Sequence, residues 1–267
     1  MDGAKIRALL EGCAAAAEAG AAVLRERWSM PRTVDRKGAI DLVTDADRAS
    51  EEAVLRVLAE RFPGAAVLAE ESGASGVAGA GLRFVVDPLD GTTNYAHGLP
   101  HFAVTVAALD ARGVAAGATC DPMRRERFLA ARGLPATLDG RPIHCAQAAE
   151  VASALLVTGF PYDVHATHAE VLRLLGPLLA RAQGVRRLGA AALDLAWVAC
   201  GRLDGYWEAK LKPWDMAAGL LLVEGAGGAA TDLDGGSRAL ESGGVLAANP
   251  VLHARLLEIV RGAGGSY

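Results

Sequence analysis

Apolar residues return every three or four positions from Ile6 to Trp28. Ile6, Leu9, Leu10, Cys13, Ala17, Ala21, Leu24 and Trp28 fall on one face, which predicts a long helix over residues 4–28. A second helix is predicted after Thr44, with Val54, Leu55 and Leu58 turned inward. Apolar runs at 65–69, 84–86, 102–109 and 127–131, bounded by Gly, Pro and Asp, read as strands. Residues 71–81, rich in Gly, Ala and Ser, read as a mobile loop. The texture changes near 140–152. Beyond it, 154–158, 205–208 and 245–248 read as strands; 164–181, 190–200, 216–224 and 250–261 read as helices, the last with Pro250 near its start. The second half alternates helix and strand, as layered α/β architectures require, whereas the first half reads as a helix pair plus a meander. A boundary near residue 145 is expected to separate an N-terminal α+β half, 1–145, from a C-terminal α/β half, 146–267.

Composition narrows the picture. The 267 residues are 52% hydrophobic and 22% charged, which excludes a disordered chain. Aromatic residues make up only 5%, so the core must be built from Ala, Leu and Val. A net charge of −4 with no long basic run argues against nucleic acid as a partner. No stretch approaches the ~18 uncharged apolar residues of a membrane span. Lys5 and Arg7 precede an Ala-rich run, but Glu11, Glu18 and Arg25 interrupt it, so the run is read as a helix rather than a signal sequence. Cys13, Cys120, Cys145 and Cys200 are far apart and form no CxxC; buried free thiols in a reducing cytoplasm are expected.

The chemistry concentrates in Phe84-Val85-Val86-Asp87-Pro88-Leu89-Asp90-Gly91-Thr92-Thr93-Asn94. An apolar strand ends in Asp87, and Pro88 forces an extended exit. The turn can aim Asp87, Asp90 and the intervening Leu89 carbonyl at one point, and oxygen-only ligands suit a hard cation, Mg²⁺ in particular. A helix starting at Gly91-Thr92-Thr93 offers free N–H groups to a phosphate. The plainer reading is an Asx-type turn with Asp90 as a cap.

Other acids carry two readings each. Glu70-Glu71-Ser72 is either a solvated turn or the source of a further ligand or water activator in Glu70. Thr44 and Asp47 have capping-box spacing, and Asp47 can also accept from a threonine hydroxyl and help orient a water. Asp215 in Pro213-Trp214-Asp215 is a helix N-cap or a ligand from the second half of the chain. Glu208 is a solvated strand end or a receptor for substrate hydroxyls. If these acids converge, their repulsion must be relieved by divalent cations, so convergence and metal binding stand together.

Other patterns are set aside. His165 and His168 read as a solvated helix face rather than a zinc site, and His97 and His101 as structural. Arg124, Arg125 and Arg127 read as a solvated turn, while Arg186 and Arg187 form a second basic pair able to attract anions. Neither a P-loop nor a GxSxG elbow occurs.

Taken together, Asp41-Leu-Val-Thr-x-x-Asp47, Glu70-Glu71-Ser72, Asp87-Pro-Leu-Asp-Gly-Thr-Thr-Asn94 and Trp214-Asp215-Met-Ala-Ala-Gly219 resemble the inositol monophosphatase family over nearly the whole chain. The resemblance implies a layered αβαβα sandwich, a homodimer, and a Mg²⁺-dependent, Li⁺-inhibited phosphomonoesterase. It implies that Glu70, Asp87 and the Leu89 carbonyl hold one metal, that Asp87, Asp90 and Asp215 hold a second, and that a third, weaker Mg²⁺ uses Glu70 and waters. Asp47 with Thr92 orients the attacking water, whose pKa the metal lowers, while the second metal stabilises the leaving alkoxide. The amides of Gly91 and Thr92 grip phosphate beside Asp90 and Thr93. Glu208 and the Ala191 amide face substrate hydroxyls, and no covalent phosphoenzyme forms. Two departures from the family pattern stand out: Ala69 replaces a usual Gly, and Ala190 stands where Ser or Thr is usual. The expected activity is hydrolysis of inositol 1-phosphate. The alternatives are hydrolysis of histidinol phosphate or fructose 1,6-bisphosphate, or a regulatory binding protein that kept the fold, such as a partner of the transcription machinery.

Overall fold

The computed structural model describes residues 3–31, 33–36, 38, 40–76, 81–237 and 239–265. Its first half runs α1 (Gly3–Arg27), β1 (Val34–Arg36), β2 (Leu42–Thr44), α2 (Asp45–Arg61), β3 (Ala66–Ala69), β4 (Gly73–Ser75), β5 (Arg83–Asp90), α3 (Thr92–Ala96), β6 (Ala103–Asp110), β7 (Gly113–Asp121), β8 (Glu126–Ala131), β9 (Thr137–Leu138) and β10 (Arg141–Pro142). It continues with β11 (Leu155–Thr158), α4 (Val164–Leu179), β12 (Gly184–Arg186), α5 (Ala191–Ala199), β13 (Gly205–Glu208), α6 (Pro213–Gly225), β14 (Ala229–Thr231), α7 (Ala239–Ser242), β15 (Val245–Ala248) and α8 (Pro250–Gly262).

Five layers result. α1 and α2 cover one face of an eight-stranded sheet ordered β10-β9-β8-β7-β6-β5-β3-β4, in which, among the described residues, only β3 and β5 pair in parallel. α5 and α6 lie between this sheet and a five-stranded one ordered β12-β11-β13-β15-β14. α4 and α8 close the far face, where Leu174, Leu178, Leu252, Leu256 and Val260 pack on Leu156, Trp207 and Leu246. This is the αβαβα sandwich that the family resemblance implies. α6 shows little amphipathy because sheets flank it on both sides, and Met216 to Gly219 and Leu221 to Val223 are all buried. Small residues permit the close layering: a Cβ on Gly117 of β7 would lie 2.8 Å from the Ala218 Cα.

Several expectations need correction. β7 is not signalled by the hydrophobic pattern because it is rich in Gly and Ala, with Val114 and Thr119 its β-branched residues, yet it is central to the sheet. Gly73–Ser75, inside the expected loop at 71–81, is an edge strand antiparallel to β3, and residues 77–80 of that loop lie outside the described residues. α6 begins at Pro213 rather than 216, because proline at the first helical position is already set for helix. Cys13, Cys120 and Cys145 are buried free thiols, but Cys200 is only half-buried. Among the described residues no helix is long and apolar enough to cross a membrane.

Candidate active site

The site begins with a fault in β5. Asp87 pairs with Thr105 of β6 and Asp90 pairs with Ala103, so three steps on β5 match two on β6. Pro88, with no N–H to give the ladder, occupies the irregularity. Residues three apart on a regular strand face opposite sides. The extra residue returns Asp90 to the face of Asp87, since Thr105 and Ala103 share a face. Asp87 Oδ1 accepts from the Leu89 amide at 2.9 Å, which shapes the turn.

Asp47 serves both readings of its motif. Thr44 caps α2, and Asp47 Oδ2 accepts from the Thr44 amide at 2.7 Å and the Thr44 hydroxyl at 2.6 Å. Its other oxygen, Oδ1, accepts from the Thr92 hydroxyl at 2.9 Å. That hydroxyl also lies 3.0 Å from the Leu89 carbonyl, and its one hydrogen can serve only one acceptor at a time. Burial, chiefly, and the Glu70 charge push Asp47 up to about 6, against its hydrogen bonds from Thr44 and Thr92.

Four acids meet around the β5 turn. Burial first, then the charges of Glu70, Asp90 and Asp215, hold the Asp87 carboxyl well above the ordinary range, and a side-chain hydrogen bond links it to Glu70. Asp90 is raised by burial, Asp215 and Asp194. Asp215 is pushed up to about 7, mainly by burial, with Glu70 adding to it. Asp215 is not an N-cap: it sits three positions inside α6, after Lys212, and its Oδ2 accepts from the Lys212 amide at 2.7 Å. Among the described residues, no three acidic, histidine or cysteine side chains are already closed on one point as a metal centre. Asp87, Asp90 and Asp215 instead lean on backbone amides. A divalent cation nevertheless fits this group chemically: the neighbouring charges that act most on Asp87 are all carboxylates, and every candidate donor is a hard oxygen.

The Gly91–Thr93 turn follows. Gly91 takes φ 91° and caps α3, a helix of five residues in which Thr92 is buried and Thr93 exposed. A Cβ on Gly91 would meet the Ala190 Cβ at 3.1 Å and the Gly189 carbonyl at 3.2 Å, so the loop before α5 lies directly behind it. Asn94 Nδ2 ties the two, donating to the His101 carbonyl at 2.7 Å and the Leu188 carbonyl at 2.8 Å. The Ala190 departure has a structural counterpart. Ala190 is the N-cap of α5 and offers no capping oxygen, so Asp90 Oδ2 caps the helix from the other sheet, accepting from Ala192 N at 2.9 Å and Leu193 N at 3.2 Å. Ala191 opens this helix.

Glu208, the last residue of β13, is buried rather than a solvated strand end. Arg187 stacks on Phe160 at 5.5 Å, and its charge acts on Glu208. His165 and His168 are exposed on α4, as expected. His101 Nε2 pairs with buried Asp194 at 3.0 Å, a structural role. Arg124 is not merely a solvated turn: it pairs with buried Asp121 at 2.8 Å and lies over Trp197.

Three residues that the sequence reading passed over belong to the site. Ser50 and Glu51 hold its loops from α2, and Tyr206 bonds Glu208. A signal for the first two exists: Asp47, Ser50/Glu51, Val54 and Leu58 form one stripe at helical spacing, whose polar end a core-facing helix would not carry without partners.

The inositol monophosphatase family model matches residues 6–264. The chain is 43% identical over 248 residues to an inositol-1-monophosphatase of Synechocystis, covering 92% of this chain and 86% of the relative. It is 41% identical over 233 residues to a Nus factor SuhB of Pseudomonas aeruginosa, covering 86% of each. The crystal structure of the extragenic suppressor protein suhB from Bartonella henselae superposes with a TM-score of 0.90 at 35% identity, covering 97% of this chain and 98% of that one. Sequence and fold thus agree, and the chain belongs to the inositol monophosphatase family.

Proposed function

We propose that this chain hydrolyses small polyol or sugar monophosphates in a Mg²⁺-dependent reaction, with inositol 1-phosphate as its preferred substrate. The observation that carries the reading is the β5 irregularity, which sets Asp87 and Asp90 on one face beside Glu70 and Asp215, one residue before the Gly91–Thr93 loop. Glu70, Asp87 and the Leu89 carbonyl would hold one cation, Asp87, Asp90 and Asp215 a second, and Glu70 with waters a weaker third. When bound, such cations supply Lewis-acid stabilisation of phosphoryl charge, a nucleophilic water at neutral pH and a counter-charge for the leaving oxygen.

The chain's own groups do the rest. Asp47 takes the Thr92 hydroxyl hydrogen and leaves the hydroxyl oxygen to accept from, and so orient, the attacking water. Glu70 assists as water activator. Amides of Gly91, Thr92 and Thr93 receive phosphate oxygens. The Glu208 carboxylate and the Ala191 amide read hydroxyls of the leaving group. Water attacks phosphorus directly, with no covalent phosphoenzyme. Li⁺ inhibition, a homodimer and a cytoplasmic location belong to the same reading.

The test is phosphate release from inositol 1-phosphate, histidinol phosphate and fructose 1,6-bisphosphate, with and without Mg²⁺. Release that needs Mg²⁺ and is fastest from inositol 1-phosphate is expected. Faster cleavage of histidinol phosphate would reassign the substrate, and metal-independent release would overturn the mechanism. A second reading, a role in transcription complexes, is favoured by the 41% identity to a protein named as a Nus factor. Capture of transcription proteins by an Asp87→Asn variant, with an unchanged cell phenotype, would favour it over catalysis.

A further inference from the structure

α2 holds more of the site than its N-terminus. Asp47, Ser50 and Glu51 stand at i, i+3 and i+4, so they share a face. Their exposures are 0%, 0% and 5%. A buried polar stripe is costly unless each group finds a partner. Each finds one in a different segment of the site. Asp47 takes the Thr92 hydroxyl. Ser50 Oγ donates to the Pro88 carbonyl at 2.7 Å. Glu51 accepts from the Glu71 amide with Oε2 and the Ser72 amide with Oε1, both at 3.0 Å.

The peptide groups involved are informative. The Pro88 carbonyl and the Leu89 N–H belong to one peptide plane. Ser50 holds its oxygen and Asp87 Oδ1 its N–H, so the plane from which the Leu89 carbonyl follows is fixed at both ends. The Glu70 backbone is held on both sides too. Its own N–H donates to the Val86 carbonyl at 3.1 Å, and the peptide after it donates to Glu51. A carboxylate suits this place because both of its oxygens are acceptors facing N–H groups.

We infer that Glu51 and Ser50 are positioning residues that set the spacing of Glu70, Asp87 and the Leu89 carbonyl, and through it the affinity for a divalent cation. This rests on the proposed reading that those oxygens bind one. Neither residue touches the reacting atoms. A purely structural role for them would lower stability and leave cation affinity unchanged.

The test is calorimetric titration of Mn²⁺ into cation-free full-length protein, with thermal melts alongside, for wild type, Glu51→Gln, Ser50→Ala and Glu70→Gln. Glutamine keeps the size of Glu51 but serves only one of the two amides and turns its NH₂ on the other. The expected result is Mn²⁺ binding ~10-fold weaker in folded Glu51→Gln, the loss typical of groups that orient metal ligands. The Mg²⁺ concentration for half-maximal activity should rise while KM for the ester stays near wild type. Wild-type Mn²⁺ affinity in folded Glu51→Gln overturns the inference. If that variant does not fold, Ser50→Ala, which loses one hydroxyl and little volume, decides: weaker binding supports the inference and unchanged binding overturns it. Unchanged binding in Glu70→Gln would bring down the cation reading itself, and the positioning role with it.

Discussion

The Tyr206 hydroxyl donates to Glu208 Oε2 across 2.5 Å, between two buried side chains on the same face of β13. Burial, above all, pushes Glu208 up to about 8; the Tyr206 bond opposes the shift, and the charges of Asp194 and Asp215 add to it. The carboxylate also lies against Gly159, where a Cβ would stand 1.9 Å from Oε2. Tyr206 therefore keeps Glu208 both oriented and easier to ionise. Tyr206→Phe should free Glu208 from its set orientation and so weaken its bond to a substrate hydroxyl, a loss of up to about 1.5 kcal/mol, or about tenfold in KM for a polyol monophosphate. Because the Glu208–substrate bond would be made equally in ground and transition states, kcat should change little. Steady-state kinetics check this: a fall in kcat with KM unchanged would contradict a substrate-reading role for Glu208.

The buried acids also predict how stability follows pH. Asp47 is raised to about 6, Asp215 to about 7 and Glu208 to about 8, with Asp87 and Asp90 raised in the same direction and burial the first cause in each. An acid with a raised folded pKa binds its proton more tightly in the folded state, so its stabilisation is complete below the ordinary acid value and is lost as pH rises through the raised one. Asp110, held down to about 2 mainly by its bond to Arg132, acts oppositely, but its contribution is already complete above about pH 4. His253, lowered by burial, opposes the trend as a single group. The melting temperature of cation-free protein should therefore fall from pH 5 to pH 8.5, and Mg²⁺ should raise it more at pH 8.5 than at pH 5. Calorimetry at several pH values checks both; a flat or rising profile would contradict it.

What the sequence disclosed depended on whether a residue's role is local. Asp87, Asp90 and Asp47 could be read because turn and cap chemistry are written in neighbouring residues. That Asp87 and Asp90 share a face could not, since it follows from a mismatch with β6, and pairing register is a property of two strands. Glu51 was lost to the ordinary expectation that charged helix residues face water, which fails here because its partners, the amides of Glu71 and Ser72, lie on a turn twenty residues away. Asp215 was legible as a motif but misplaced by one helical turn, because the start at Pro213 was overlooked.

Asp90 joins the acid cluster to α5. In Asp90→Asn, the remaining carbonyl oxygen can still accept from the Ala192 and Leu193 amides, so the α5 cap and the fold should survive. What is lost is a ligand charge. If that charge contributes ~3 kcal/mol to the transition state, activity should fall at least ~100-fold. The comparison is initial rate against melting temperature: wild-type activity, or a collapse of stability equal to that of a core variant, would contradict the assigned position.

The contact between α5 and α6 offers a test remote from any acid. A Cβ on Gly219 would fall 2.5 Å from Leu195 Cδ1 and 2.6 Å from Leu195 Cβ. The Leu195 Cβ cannot rotate away, so the helices must part. In an open helix, Gly→Ala would stabilise by up to ~1 kcal/mol through propensity alone. Here overpacking should outweigh that gain by 1–3 kcal/mol, lowering the melting temperature by roughly 2–10 °C for a chain of this size. Gly262 in α8 is the control, since nothing lies within 4 Å of a Cβ built there, and Gly262→Ala should be neutral or stabilising. Function should follow the packing. α6 carries Asp215 one turn before Gly219, while the first turn of α5 holds Asp90, so parting the helices moves one acid against the other. Gly219→Ala should therefore need more Mg²⁺ for half-maximal activity, whereas Gly262→Ala should not. A Gly219→Ala protein as stable as wild type and unchanged in its Mg²⁺ requirement would mean that the two helices do not set the distance between these carboxylates.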